Sequence, residues 1–442
     1  MTVFKRITPD WLMILITAVV LIWVSSNYKW GDGHWNTILK SDGPGYYAYL
    51  PAVMVYGDLN FAFIDSLRKE MPGHHSVEYE FRRLHNGNYV NKYYAGTALM
   101  QLPFYTAGHF CSLVSGRVMN GYSAFYLIFV HISTIFYALV ALLIIRAILK
   151  SYQARPSSIA FVLTAMVFGT NMFHYIVSEP AMSHIYSLVA VSAFILYVRK
   201  YFLHRRLGDL YLAAFFLGLI LLIRPVNGIV LFCIPFLAGD INHLKDGFRN
   251  FIQKPVHALA SILLLIAVFS IQLIIYWWQS GDPFVYAYKG EGFEFLDPDM
   301  INILFSYRKG LFIYTPLLFV SIFGFVSLFR QNRYGFYTLL GFLFILVYVL
   351  SSWEQWYYGG SFSGRVFIDF YALFALLLFK VIASLKKTWP KRIVFGLLVF
   401  LIILCQVQTY QYRTADIHWS DMTKEKYWES FPTPSRLIKK FK

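Results

Sequence analysis

Apolar runs about as long as a bilayer is thick recur along this 442-residue chain, separated by short polar or basic segments. A helix rising 1.5 Å per residue needs roughly 17 to 25 apolar residues to cross the hydrocarbon. Runs of this kind fall near 11–27, 122–148, 158–176, 183–200, 209–223, 225–240, 257–278, 310–329, 335–352, 366–385 and 393–410. The pattern predicts an all-α polytopic membrane protein of about eleven transmembrane helices. The run Thr97–Val114 is apolar too, but it carries Gln101, Pro103, Gly108 and His109. Counting it as a crossing would turn Arg146, Lys150 and Arg155 outward, so it is expected to lie along the outer surface.

Charge sets the orientation. With that choice, basic clusters at 199–206, 245–254, 330–333 and 386–392 form short cytoplasmic loops, as positive charge is retained inside. Long segments remain outside: a first loop at 28–121, loops at 279–309 and 353–365, and a tail at 411–442. The tail's Arg436, Lys439, Lys440 and Lys442 sit uneasily on that side. Loops of such length are uncommon unless they carry function. No internal repeat and no separate soluble domain is evident, so residues 1–442 read as one transmembrane domain placed in the plasma (inner) membrane.

Composition agrees. Hydrophobic residues make up 58% of the chain and charged residues 14%, beyond what a soluble core uses. The 33 Tyr and 42 Phe suit interfacial anchoring and stacking on sugars. The net charge of +16 comes without a basic arm or zinc spacing, which argues against nucleic acid. Cys111, Cys233 and Cys405 are isolated in apolar segments, so no disulfide framework or metal cluster is indicated. Trp11–Ser26 follows Lys5 and Arg6 without a cleavage site and reads as a retained anchor.

The candidate chemistry lies in the external segments. Asp42 stands in Ser41-Asp42-Gly43-Pro44-Gly45-Tyr46-Tyr47, just beyond the first span, with Tyr46 able to stack on a sugar. It is a candidate general base, and the competing reading makes it the cap of a short helix starting near Pro44. Glu179, in Ser178-Glu179-Pro180-Ala181-Met182-Ser183-His184, could assist that base, orient an acceptor or hold a cation, or simply complement the dipole of the next helix. Lys92, Arg224, Arg308, Lys309 and Arg365 are cations on the same face, suited to a lipid-linked phosphate or else to snorkelling toward headgroups. Arg365 has a further competitor, a helical ion pair with Asp369 four residues on. Tyr93, His184 and Trp356 complete the substrate-binding candidates. His74, His75, Glu78, Glu80 and His85 have no standard ligand spacing, so no metal site and no cofactor is assigned. Nucleotide, dinucleotide, zinc-protease and serine-hydrolase motifs are all missing from the sequence.

In these residues the chain resembles the membrane-embedded GT-C glycosyltransferases, notably bacterial relatives of protein O-mannosyltransferases and aminoarabinose transferases. The likeness rests on Asp42, on the stretch Asn91–Pro103, on the Glu179 to His184 turn, and on Trp353 to Arg365. It implies a first external loop with surface-lying helices, Asp42 as the catalytic acidic residue with Glu179 corresponding to a second-loop acid, and Lys92 and Arg365 on the lipid phosphate. Gly43 stands where the mannosyltransferases carry the second acid of an Asp-Glu pair. The expectation is an inverting transferase moving one hexosyl or pentosyl unit from a polyprenyl-phosphate donor to an acceptor hydroxyl on a glycan, lipid or protein outside the membrane. The alternatives are a transporter or flippase of lipid-linked saccharide, or a glycan polymerase or ligase. A transporter would be expected to carry midplane charges, broken helices and inverted repeats, whereas here the acids cluster outside and the spans are mostly free of charge.

Overall fold

The computed structural model describes residues 7–31, 33–288, 290–385 and 387–431. It is a helical bundle whose single sheet is a two-stranded hairpin, Arg82–His85 against Asn88–Asn91, with Arg82 opposite Asn91. All eleven expected apolar runs are helical, but they differ in length from the expectation. Seven helices among the described residues are long and apolar enough to cross alone: Pro9–Trp30, Ala124–Ser151, His184–His204, Pro255–Ser280, Arg333–Ser351, Arg365–Ser384 and Thr388–Arg413. An eighth arises if Pro225–Ala238 and Ile241–Gln253, bent by 119° at their junction, count as one span. The other three are shorter, at Pro156–Phe168, Leu207–Ile223 and Pro316–Gln331.

The sequence supplies the reason for each shortening. Gly169, Thr170 and Asn171 interrupt the expected 158–176 run, and the chain resumes as Met172–Val177. Leu207–Ile223 is not shortened and ends where the 209–223 run does, at Arg224-Pro225, because the residue before proline is driven out of the helical region; Arg224 adopts φ −150°, ψ 99°. Thr315-Pro316 breaks the 310–329 run in the same way. Apolar composition therefore runs on where helical hydrogen bonding stops.

The bundle is layered. His184–His204 and Arg365–Ser384 are central, with 83% and 89% of their most apolar stretch buried, whereas Pro255–Ser280, Pro9–Trp30 and Thr388–Arg413 are peripheral, with 17%, 22% and 28%. Close approach inside the bundle relies on small residues. A Cβ on Gly324 would stand 2.2 Å from the Leu377 carbonyl oxygen, so Gly324–Gln331 can press against Tyr371–Ser384 only with glycine there. Far from the external loops, Asp10 is buried and receives the Arg146 guanidinium at 2.6 Å, which locks the start of the first helix to the end of Ala124–Ser151.

The segment 28–121, expected as the first external loop, has its own core, built on Tyr47, Phe61, Phe81, Tyr105 and Tyr122. Gly96–Val114 is a helix, and it packs antiparallel along the first half of Ala124–Ser151. The Tyr137 hydroxyl donates to the Met100 carbonyl at 2.9 Å, and His109 Nδ1 pairs with the Tyr126 hydroxyl at 2.7 Å. The expected 245–254 basic loop is part of the amphipathic helix Ile241–Gln253. The tail folds back: Lys424–Ser430 is a helix whose Tyr427 packs on Tyr307 and Tyr314. The four basic tail residues named above lie outside the described residues.

Candidate functional site

Asp42 precedes the helix Gly43–Tyr47, but its side chain makes no capping hydrogen bond. Three other groups take the carboxylate. Oδ1 accepts from the Tyr93 hydroxyl at 2.9 Å and from the Tyr79 hydroxyl at 3.3 Å, and Oδ2 accepts from Arg365 Nη2 at 2.7 Å. The capping reading fails on this geometry. The hairpin brings Tyr79 and Tyr93 together, with hydroxyls 2.5 Å apart. Gly45 lets Tyr93 close in, since a Cβ there would lie 2.3 Å from the Tyr93 ring. Tyr46 packs behind it at a tilt of 48°, its ring centre 4.6 Å from that of Tyr93.

Arg365 opens the central helix and is 7% exposed. Its ion pair is with Asp42 and not with Asp369, so the helical-pair competitor also fails. Only one arm of its fork is engaged: Nε and Nη1 are buried and have no hydrogen-bond partner. A buried donor without a partner costs roughly 1–3 kcal/mol, so the fork is poised for an anionic oxygen. Burial pushes the Asp42 carboxyl up, but the Arg365 charge and the Tyr93 hydroxyl outweigh it and hold the group below its ordinary range. The carboxylate is therefore ionised at neutral pH. Burial and the Asp42 charge drive the Tyr79 and Tyr93 hydroxyls above their usual values, so both remain protonated donors.

Glu179 lies before the His184–His204 helix, whose cap is Ser183, so it does not occupy that helix's first turn. Its Oε2 accepts from the Ser41 hydroxyl at 3.4 Å, and Oε1 is 3.5 Å from His174 Nε2. Glu179 also feels the charges of Arg365 and Asp42; burial raises its carboxyl, and His174 and Arg365 bring it below the ordinary value. Lys92 reaches Glu291 at 2.5 Å and lies over the Tyr288 ring at 4.6 Å, within electrostatic reach of Asp42. Lys309 is buried on the carbonyls of Ser361 and Trp419, and burial lowers its ammonium to about 7.

Arg224 and His184 form a second cluster around Asp369. His184 Nδ1 is 3.0 Å from Oδ1, Asn227 donates to Oδ2 at 2.6 Å, and Arg224 Nε stands 3.6 Å away. Arg308 and Trp356, like Lys309, are not brought to the Asp42 carboxylate. Arg308 bonds the Ser420 carbonyl and stacks on Tyr357, and Trp356 packs edge-on against Tyr357. Sequence reasoning missed Tyr79, His174, Asn227, Glu291 and the role of Asp369. Among the described residues, no group of three or more His, Cys, Asp or Glu side chains is assembled as a metal ligand set. His85 instead pairs with Asp282, and Glu80 with Arg68 and Arg82.

The arrangement joins an ionised carboxylate, two hydroxyl donors and a half-used guanidinium at one loop–helix junction. It can take a proton at Asp42 and hold an anion at Arg365. No family model matches the sequence, and no curated protein resembles it closely enough to count as a relative. Solved structures do resemble it. The archaeal oligosaccharyltransferase AglB from Archaeoglobus fulgidus, in complex with an inhibitory peptide and a dolichol-phosphate, superposes with a TM-score of 0.51 at 12% identity, over 98% of this chain and 59% of its own. ArnT from Cupriavidus metallidurans, bound to undecaprenyl phosphate, gives 0.51 at 11% identity over 91% and 71%. The apo oligosaccharyltransferase from Archaeoglobus fulgidus gives 0.50 at 13% identity over 100% and 60%. The chain thus spans about three fifths of the oligosaccharyltransferases it matches. These likenesses concern the fold: the chain shares the architecture of AglB and ArnT, the GT-C fold.

Proposed function

We propose that the chain is an inverting glycosyltransferase that takes a hexosyl or pentosyl unit from a polyprenyl-phosphate donor and attaches it to a hydroxyl of a glycan, lipid or protein. The reaction is assigned to the extracytoplasmic face of the plasma membrane. The observation that carries the reading is the Asp42–Arg365 pair: a carboxylate meets a guanidinium that keeps two buried idle donors, in a bundle of GT-C fold. AglB and ArnT were each captured with a polyprenyl phosphate, which supports the same donor class here.

The residues suggest an order of events. An Asp bound to Arg365 is a weak base, because the guanidinium stabilises the charged form. A donor phosphate would engage Nε and Nη1 and draw the guanidinium's charge toward itself. The Asp42 carboxylate then regains proton affinity at the moment the acceptor hydroxyl arrives. The acceptor oxygen forms its bond to the anomeric carbon from the face opposite the phosphate and gives its proton to Asp42. The bond from that carbon to the phosphate oxygen breaks with its electron pair staying on the phosphate. Phosphate is a good leaving group with a second pKa near 6, so no second carboxylic acid is called on, and neither is a cofactor. Arg365, with Lys92 nearby, would stabilise the charge that grows on the leaving group.

The test uses the purified full chain with sugar-charged polyprenyl phosphates, together with mass spectrometry of surface glycolipids and glycoproteins from cells with and without it. Release of polyprenyl phosphate and loss of one glycan species without the protein are expected. Unaltered glycans together with movement of intact lipid-linked sugar across a vesicle membrane would overturn the reading in favour of a flippase.

A further inference from the structure

A second recess lies at the other end of the bundle. Thr388–Arg413 has 26 residues and so spans about 39 Å. Arg413, at its far end, lies within electrostatic reach of Lys29, which in turn feels Glu179, so Thr388 marks the end remote from Asp42. There a cavity of about 440 Å³ opens between three helices: the start of Pro156–Phe168, the end of Tyr371–Ser384 and the start of Thr388–Arg413. Lys391 and Arg392 line it with the hydroxyl-bearing Ser157, Ser158 and Thr388, and Ile382 and Phe395 provide an apolar wall. Phe395 is anchored against Phe161 with ring centres 4.6 Å apart. The Lys391 ammonium is 5.9 Å from the Phe395 ring, and no described carboxylate pairs with it or with Arg392.

We infer that this recess binds one anionic glycerophospholipid of the leaflet opposite the Asp42 pocket. Its phosphate would sit between Lys391 and Arg392 with the three hydroxyls as donors, and an acyl chain would run along Ile382 and Phe395. Three observations select that occupant. The two cations are uncompensated, and basic pockets between transmembrane helices at a membrane face suit anionic headgroups. The wall beside them is apolar, which a phosphate alone would not use. The volume falls within the range of small-ligand sites. The Ser157 N–H and Ser158 N–H belong to a first helical turn and so have no partner within the helix, which adds donors of the right polarity. The site is independent of the proposed transfer reaction.

The test is lipid retention by the full chain in detergent, read by native mass spectrometry, and melting temperature during titration with phosphatidylglycerol, phosphatidylcholine or inorganic phosphate. One phosphatidylglycerol retained per chain and a raised melting temperature are expected, with neither effect from the other two. The double variant Lys391→Gln/Arg392→Gln should bind phosphatidylglycerol roughly 30-fold more weakly, given the usual contribution of two headgroup-level cations. Lys245→Gln/Arg249→Gln removes two other exposed cations, on Ile241–Gln253, and should leave retention unchanged. Equal retention in the first variant, equal loss in the second, or equal stabilisation by phosphatidylcholine or free phosphate would overturn the inference. If the first variant does not fold, Ser157→Ala/Ser158→Ala provides the same readout with an expected partial loss, and unchanged retention there would overturn it too.

Discussion

Two carboxylates, the half-buried Asp42 and the buried Asp369, each face an arginine within this bundle, and they are built to opposite ends. Asp369 is fully buried and takes His184, Asn227 and Arg224, leaving its oxygens surrounded by protein donors. Asp42 keeps a side-chain exposure of 20%, and its arginine has two idle donors. A saturated network fixes helices, here joining His184–His204 and the segment after Arg224 to Arg365–Ser384. An unsaturated one at a loop–helix junction holds free energy in reserve for a ligand. Partner count and exposure, more than residue type, separate a structural ion cluster from a reactive one.

The comparison predicts opposite losses. Asp42→Asn keeps the size and most hydrogen bonding of the site but removes the base. Transfer should fall by roughly 10²–10⁴-fold, as when a positioned general base is lost, with polyprenyl-phosphate binding and melting temperature little changed. A turnover assay beside a thermal melt checks it, and substantial residual turnover would remove the basis for treating Asp42 as the reactive member. Asp369→Ala should do the reverse. It leaves the half-buried Arg224 without its counter-charge and His184 and Asn227 without their acceptor, and breaking a buried pair costs up to about 3–5 kcal/mol, read as a lowered melting temperature or failure to accumulate. An unaffected melt would show the Asp369 cluster to be dispensable to the fold.

Why one cluster was legible in the sequence and the other was not follows from chain distance. Asp42 announced itself by a polar, glycine-rich turn directly after an apolar run, and Arg365 by a motif ending at the next one. The helical segments were legible for the same reason, since lipid exposure forces long apolar runs; the two shortened ones were misjudged because Gly169–Asn171 and Thr315-Pro316 break hydrogen bonding without breaking hydropathy. Pairing was another matter. Asp42 and Arg365 are 323 positions apart, and Asn227 and Asp369 are 142 apart, so the local i, i+4 rule pointed Arg365 to the wrong partner. Tyr79 stands in a polar stretch with no periodic signal, and only the hairpin carries Tyr93 to its hydroxyl.

A pH profile sharpens the contrast further. Because Arg365 and Tyr93 hold the Asp42 carboxyl below its ordinary range, the base is deprotonated throughout the neutral region, and loss of activity on acidification should begin below the usual carboxylate range. In Arg365→Gln the lowering charge is gone while burial, which raises the value, remains. The acid limb should therefore move to higher pH, along with a weaker hold on the donor. An acid limb at the same pH in both proteins would show that Arg365 does not control the ionisation of Asp42.

The smallest effect is expected at Lys92. Its ammonium is taken by Glu291 at 2.5 Å, with side-chain exposures of 9% and 24%, so an internal carboxylate occupies a cation that could otherwise serve the donor phosphate. Exposed pairs contribute about 0.2–1 kcal/mol, a factor of roughly 1.4 to 5, and this more enclosed pair belongs at the upper end of that range. Glu291→Gln removes the competitor while keeping the shape of the loop that carries it. The KM for a polyprenyl-phosphate donor should drop by that factor with kcat nearly constant, since the freed ammonium gains the phosphate equally before and during transfer. Lys92→Met should raise KM instead, and in the double variant Glu291→Gln should no longer lower it. If Glu291→Gln raised KM on its own, Glu291 would be holding Lys92 in place for the donor, and the pair would belong with the saturated Asp369 cluster and not with the open Asp42 one.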